Sequence, residues 1–117
     1  MLTFITLLKD DFESSAELTP QFQHFYRIFC NEFKRLLKEK FNTTNVKFNR
    51  GHFYIFGFFK IANGNIYYFS VGDVRWYKEE MLIRTATHFK DYTGGSNCFI
   101  SLESEDDFIS GLQREVK

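Results

Sequence analysis

His88, Asp91 and Cys98 are the residues whose types and spacing come closest to a catalytic arrangement. Nucleophilic catalysis needs a thiol or hydroxyl beside an imidazole base and an orienting group. Cys98 directly follows the loop 94–97, and His88 and Asp91 lie within the ten residues before it. Cys98 also opens an apolar strand, where a cysteine is usually a small core residue. We therefore expect that the protein is not an enzyme. A small enzyme that uses the His88/Cys98 region is the second alternative to the function given below.

Metal and cofactor chemistry finds little support in the sequence. The possible nitrogen and sulfur ligands are His24, His52, His88, Cys30 and Cys98. None of them forms the paired CxxC or HxxxH spacing that is typical of zinc sites. The glycines at 94–95 precede a strand rather than a helix N-terminus, which is the wrong setting for a phosphate loop. The sequence predicts no metal and no cofactor.

The polar stretch 84–97 is the most distinctive candidate for a binding site. It is dense in side chains that make specific contacts, and long loops in compact domains are often functional. The alternative is a purely structural connection between strands. The candidate residues for binding protein or nucleic acid are Arg75, Trp76, Arg84, His88, Lys90, Asp91, Tyr92 and Asn97.

The elements that must position these residues begin with a helix over 20–41. Thr19 suits an N-cap, Pro20 suits the first helical position, and phenylalanines then recur at helical spacing. Residues 2–17 fit a short helix or a strand, and we favour the helix. Ser104 and the acids after it predict the start of a C-terminal helix.

After residue 44 the apolar pattern changes from helical to alternating. The predicted strands are residues 46–48, 52–61, 65–71, one strand that starts at 74–77, breaks at 78–80 and resumes at 81–86, and 98–102, with turns at 49–51 and 72–73. The fold class is therefore α+β: a long N-terminal helix, an antiparallel β-meander of four to five strands and a C-terminal helix. Residues 1–117 form a single domain, and we expect the helices to pack on one face of the sheet.

The dipeptide Asn63-Gly64 predicts a hairpin with a two-residue type I′ turn. That turn would place Phe59 opposite Tyr68 and Phe58 opposite Phe69. Both faces of the hairpin would then be apolar. In an antiparallel sheet with one solvent-exposed face, apolar and polar residues alternate along each strand. The long helix can cover one face, and the other face needs the N-terminal segment, the C-terminal helix, a second copy of the chain or a different partner. The uncovered face predicts a homodimer or a complex with another protein. The candidate interface aromatics are Tyr54, Phe56, Phe58, Tyr67 and Phe69.

Composition and charge narrow the function classes. The chain has 117 residues with 16 Phe and no net charge, which gives no global argument for nucleic acid or an anionic membrane. Lys47, Arg50, His52 and Lys60 nevertheless border the aromatic hairpin. A single-stranded nucleic-acid-binding module that uses the aromatic sheet face is therefore the first alternative. Two cysteines and a short apolar N-terminus predict a cytoplasmic protein, with no membrane partner.

The run YYFSVGDVRW, followed by LIRTATHFKDYTGGSN, lies within residues 67–97. It resembles short uncharacterised proteins of bacteriophages and other mobile elements. Such proteins often bind and inhibit a host protein, and anti-CRISPR proteins are the best-known class. The resemblance implies a non-catalytic protein that acts by protein-protein interaction in the host bacterial cytoplasm, as an inhibitor of a host defence system.

Overall fold

A computed structural model describes residues 1–13 and 19–117 of the chain. These described residues form three helices and a five-stranded antiparallel sheet. The elements are α1 (Thr3–Leu7), α2 (Pro20–Phe41), β1 (Asn45–Arg50), β2 (Ile55–Lys60), β3 (Ile66–Val71), β4 (Glu80–Ala86), β5 (Cys98–Ser101) and α3 (Glu105–Glu115). The strands follow the order β1-β2-β3-β4-β5 across the sheet. The predicted α+β meander with an N-terminal and a C-terminal helix is confirmed.

Helix α2 begins and ends where its sequence predicts. The Thr19 hydroxyl accepts a hydrogen bond from the Phe22 N–H at 3.2 Å, and Pro20 occupies the first helical position. Asn42 ends the helix in the left-handed conformation, with φ of 50°. The apolar side of α2 is buried through Phe22, Phe25, Phe29, Phe33, Leu36 and Leu37.

Helix α1 confirms part of the predicted helix over 2–17, and residues 14–17 of that prediction lie outside the described residues. Glu32 of α2 is buried, and its carboxylate accepts hydrogen bonds from the N–H groups of Thr3 and Phe4, each at 2.8 Å. These bonds satisfy the first amides of α1, which have no partner within the helix. Leu2 N–H also donates to Glu105 of α3, so the start of the chain is fixed to both other helices.

All three helices lie on one face of the sheet, as the sequence predicts. From α2, the Phe33 ring contacts Phe59 of β2 at 6.0 Å and Phe69 of β3 at 5.0 Å. Phe4 of α1 and Phe108 of α3 meet edge to face at 5.5 Å. The core between helices and sheet is therefore largely aromatic, which accounts for most of the 16 Phe in the sequence.

The β2–β3 hairpin differs from its prediction. Gly64 N–H donates to the Ile61 carbonyl, and Ile61 N–H donates to the Asn65 carbonyl. Gly64 has φ of 97°, whereas Asn63 keeps a negative φ, so the two-residue type I′ turn is wrong. The loop has three residues and ends in a left-handed glycine. Asn63 Oδ1 instead accepts the Asn65 N–H at 3.0 Å, a local turn that asparagine favours.

The longer loop shifts the hairpin register by one residue. Phe59 pairs with Tyr67 and Phe58 pairs with Tyr68, which corrects the predicted pairing. A shift of one residue exchanges the faces of a strand. Tyr67 and Phe69, predicted as interface aromatics, consequently lie on the helix face with 4% and 0% of their surface exposed.

One predicted strand and one predicted turn are also wrong. The Asp73 carbonyl accepts hydrogen bonds from Trp76 and Tyr77, so residues 74–77 form a turn and not a strand. Asp73 Oδ1 also accepts the Arg75 N–H, because aspartate competes locally for backbone donors. The predicted turn at 49–51 lies further along, at residues 51–54, where Gly51 N–H donates to the Tyr54 carbonyl.

Candidate functional site

The helix-free face of the sheet carries one row of side chains that crosses all five strands. Cross-strand pairing aligns Asn49, Phe56, Ser70, Leu82 and Phe99 in that order. Tyr54 stacks on Phe56 at 5.9 Å, which extends the apolar surface. We call Tyr54, Phe56, Leu82 and Phe99 the apolar stripe. Phe99 is 50% exposed although it lies in a strand, so its ring has no full cover within the described structure.

A parallel row, formed by Lys47, Phe58, Tyr68 and Arg84, is covered by the β4–β5 loop (residues 87–97). Tyr92 of this loop contacts Phe58 at 5.3 Å and Tyr68 at 5.9 Å. Phe89 stacks on Phe58 at 5.8 Å. As a result Phe58 is only 2% exposed. The sequence predicts that this face needs a cover, and over Phe58 the β4–β5 loop of the same chain provides it.

Arg84 attaches the loop to the sheet. Its guanidinium lies 4.5 Å from the ring centroid of Tyr68, a cation–π contact. It also donates to the Tyr92 carbonyl and to Asn97 Oδ1, the latter at 3.3 Å. Three predicted binding residues, Arg84, Tyr92 and Asn97, are thus brought together, and their polar contacts hold the loop in place.

Asp91 organises the loop from within. It is 7% exposed, and its carboxylate accepts hydrogen bonds from the N–H and the hydroxyl of both Thr87 and Thr93. These bonds, led by the one from the Thr87 N–H, hold the pKa of Asp91 well below its usual range. The preceding residue, Lys90, has φ of 81° and an exposed side chain. The Asp91 carboxylate therefore forms its hydrogen bonds within the loop, whereas the Lys90 side chain is exposed to solvent.

The remaining predicted binding residues lie apart from this loop contact. Arg75 forms an ion pair with Asp73 at 2.6 Å, and its guanidinium lies 4.2 Å from the Phe53 ring centroid. The hydrogen bond from Arg75 lowers the pKa of Asp73. Trp76 is 62% exposed in the β3–β4 connection, and His88 is exposed in the β4–β5 loop. Trp76 and His88 are available for contacts, while Arg75 is engaged within the fold.

No described contact joins His88 to Cys98. The His88 ring is hydrogen bonded to the Thr87 hydroxyl at 2.9 Å. The Cys98 thiol lies 3.7 Å from the Ser96 carbonyl, and the neighbouring Glu115 carboxylate raises the pKa of the thiol. A raised pKa lowers the thiolate fraction, which is the opposite of what activates a nucleophile.

Two further tests of the described residues concern metals and membranes. Within residues 1–13 and 19–117, no three His, Cys, Asp or Glu side chains lie close enough together to hold a metal ion. In the same part of the chain, no helix combines the length and the apolar character needed to span a bilayer.

The predicted site omitted several residues of this face, among them Leu82, Phe99 and Phe89. Leu82 and Phe99 each lie between residues of the helix face, and strand alternation alone would have placed them outward. Phe89 lies in a polar loop, where nothing in the sequence marks it as a cover for Phe58. It depends on the path of the loop across the sheet.

The sequence matches no protein-family model. Searches of curated proteins and of solved structures also found no match.

Proposed function

We propose that this protein is a non-catalytic binding protein whose apolar stripe contacts another protein. Extending the resemblance to phage proteins, the partner is a component of a host defence system, and binding inhibits it. The observation that carries the proposal is the exposure of Tyr54 and Phe99, with half-buried Phe56 and Leu82, along one row in which Ser70 separates Phe56 from Leu82. Exposed apolar patches of this kind mark interaction surfaces on soluble proteins.

The dimensions and chemistry of the apolar stripe suit a protein interface. Phe56 and Phe99 lie three strands apart, roughly 14 Å at the usual strand spacing. Tyr92 borders the stripe and contacts Phe56 at 6.3 Å, with 48% of its surface exposed. Exposed aromatic rings supply a large contact area at low entropic cost, and they dominate binding energy at protein interfaces.

The absence of charge in the row favours a protein over nucleic acid as the partner of this surface. The row Asn49, Phe56, Ser70, Leu82 and Phe99 contains no lysine or arginine. Nucleic-acid affinity rests largely on cations that neutralise phosphates. Lys47 and Lys90 belong to a separate feature of this face, described below.

Phe99→Glu tests the proposal, with Gln113→Glu on the exposed side of α3 as a control of equal charge change. Both variants are first compared with the parent protein by circular dichroism and thermal melting. Each is then used to capture partners from an extract of the native host cell. We expect one partner to be held by the parent and by Gln113→Glu, and to be lost with Phe99→Glu, since a buried aromatic anchor contributes about 2 kcal/mol, roughly 30-fold in affinity.

Light scattering over a wide concentration range separates a foreign partner from a second copy of the chain. A dimer that dissociates with Phe99→Glu and persists with Gln113→Glu would make the stripe a self-interface. Partner capture that is unchanged by Phe99→Glu would contradict the proposal.

A further inference from the structure

A second feature of the helix-free face is a pocket between β1 and the β4–β5 loop. Phe58, Phe89 and Tyr92 line it with aromatic rings, and Lys47, Asn49 and Lys90 line it with polar side chains. The cavity measures about 250 Å³. We call it the lysine pocket. Asn49 and Tyr92 line the pocket and also neighbour Phe56 of the apolar stripe. Ligand binding in the lysine pocket does not depend on the proposed function.

The electrostatics of the lysine pocket favour an anion. The ion pairs among the described residues join Asp73 to Arg75 and Arg114 to Glu115, so neither Lys47 nor Lys90 is neutralised by a carboxylate. Asp91, the nearest acid in sequence, keeps its negative charge, but its oxygens accept from Thr87 and Thr93 within the loop and form no ion pair with either lysine. Two lysines among the residues that line one cavity attract negative charge.

The backbone conformation at Lys90 is restrained by its surroundings. A non-glycine residue with φ of 81° carries conformational strain, which persists only where the surroundings fix it. The four hydrogen bonds of the adjacent Asp91 provide that restraint. Lys47 is fixed differently, because it lies in β1 directly opposite Phe58 of β2. The backbone at both lysines is therefore fixed beside the aromatic wall.

The shape and chemistry together define the ligand. Pockets that enclose a drug-sized molecule usually measure roughly 300–1,000 Å³, so this cavity holds one planar ring with the remainder at its mouth. Aromatic side chains stack on planar bases, and lysines bind phosphate as point charges. We infer that the lysine pocket binds one nucleotide unit, with the base against Phe89 and Tyr92 and the phosphate between Lys47 and Lys90. The unit is either a free nucleotide or part of a single strand.

The test follows backbone amide shifts by NMR while adenosine monophosphate, adenosine or inorganic phosphate is added at low salt. We expect the monophosphate to shift the amides of Lys47, Asn49 and Lys90, and to bind at least tenfold more tightly than adenosine or phosphate. Lys47→Gln and Lys90→Gln should each weaken this binding about tenfold. Lys34→Gln on the exposed side of α2 removes the same charge and should leave it unchanged.

A labelled ten-nucleotide strand, followed by fluorescence anisotropy, distinguishes the two sources of the nucleotide. Much tighter binding of the strand, lost in both lysine variants, assigns the pocket to single-stranded nucleic acid. Equal affinity for the strand and the mononucleotide assigns it to the free nucleotide.

Three results would overturn the inference. The first is no binding of monophosphate or strand at low salt, and the second is an equal loss of binding in Lys34→Gln. The third is full competition by a polyglutamate peptide of equal charge, which would make the pocket an anionic protein contact. Phe99→Glu, which tests the apolar stripe, should leave nucleotide binding unaltered, so the two proposals fail separately.

Discussion

The ring of Tyr92 meets the ring of Phe58 edge to face, with centroids 5.3 Å apart and planes at 68°. One residue belongs to a polar loop and the other to the centre of β2. Their contact buries Phe58 on a sheet face for which the sequence predicts the need of a cover. It also divides that face into the uncharged apolar stripe and the lysine pocket.

Tyr92→Ala should remove this cover and destabilise the protein by about 2 kcal/mol, since an aromatic pair adds roughly 0.5–1.5 kcal/mol to the loss of buried area. Urea unfolding measures the change, and a dye that binds apolar surface should fluoresce more with the variant. Tyr77→Ala is the matched control, because Tyr77 is 69% exposed and should contribute less than about 0.5 kcal/mol. Equal shifts of the two urea midpoints would contradict the role of Tyr92.

The elements of the fold were more predictable than the pairing between them. Helix α2 follows from Thr19, Pro20 and the spacing of its phenylalanines, all of which act within the helix itself. The hairpin register depends on whether Asn63 adopts positive φ, and its own side chain stabilises the alternative turn. A local choice of this kind decides which face Tyr67 occupies, and no pattern of apolar residues along the strands resolves it.

The candidate site was predictable only in part, for a related physical reason. The polar stretch 84–97 was recognisable from its density of polar groups. However, Arg84 donates to Asn97, and Asp91 accepts from the backbone of Thr87, so these groups are used within the fold. Sequence cannot separate internal hydrogen bonds from those offered to a partner. The exposed residues Phe99 and Lys47 follow from strand alternation once the register is known.

Gly57→Ala should destabilise the sheet by about 3 kcal/mol. A Cβ at this position would lie 1.9 Å from the Lys47 carbonyl oxygen, so the backbone of β1 would have to move. Gly64→Ala is the informative comparison, because nothing lies within 4 Å of its Cβ and the cost of positive φ is about 1 kcal/mol. Hydrogen exchange should show faster opening of β1 in Gly57→Ala alone. A smaller loss of stability in Gly57→Ala than in Gly64→Ala would contradict the close approach of β1.

Asp91 should make the free energy of unfolding depend on pH in the acid range. Its pKa is lower in the folded state than the ordinary value of about 3.9, because Thr87 and Thr93 donate to the carboxylate. The stabilisation is therefore complete above about pH 4 and is lost as the pH falls toward the folded-state pKa. Urea midpoints between neutral pH and pH 2 should fall for the parent protein and change less for Asp91→Asn.

Thr87→Val refines this prediction, because it removes one hydroxyl donor and keeps the Thr87 N–H, which is the principal cause of the shift. Its acid dependence should lie between those of the parent and Asp91→Asn. Parallel pH profiles for the parent and Asp91→Asn would show that the carboxylate does not stabilise the loop.

The two thiols should both react more slowly than a free cysteine at pH 8. Burial raises the pKa of Cys30 to about 11, and the Glu115 carboxylate raises that of Cys98. Disulfide-reagent kinetics on Cys30→Ala and Cys98→Ala isolate each thiol, and the rate of Cys30 should increase about tenfold per pH unit up to its pKa. Glu115→Gln should accelerate Cys98 and leave Cys30 unchanged. If Cys98 instead reacts faster than a free cysteine in the parent protein, the thiol is activated, and the alternative of an enzyme that uses the His88/Cys98 region gains direct support.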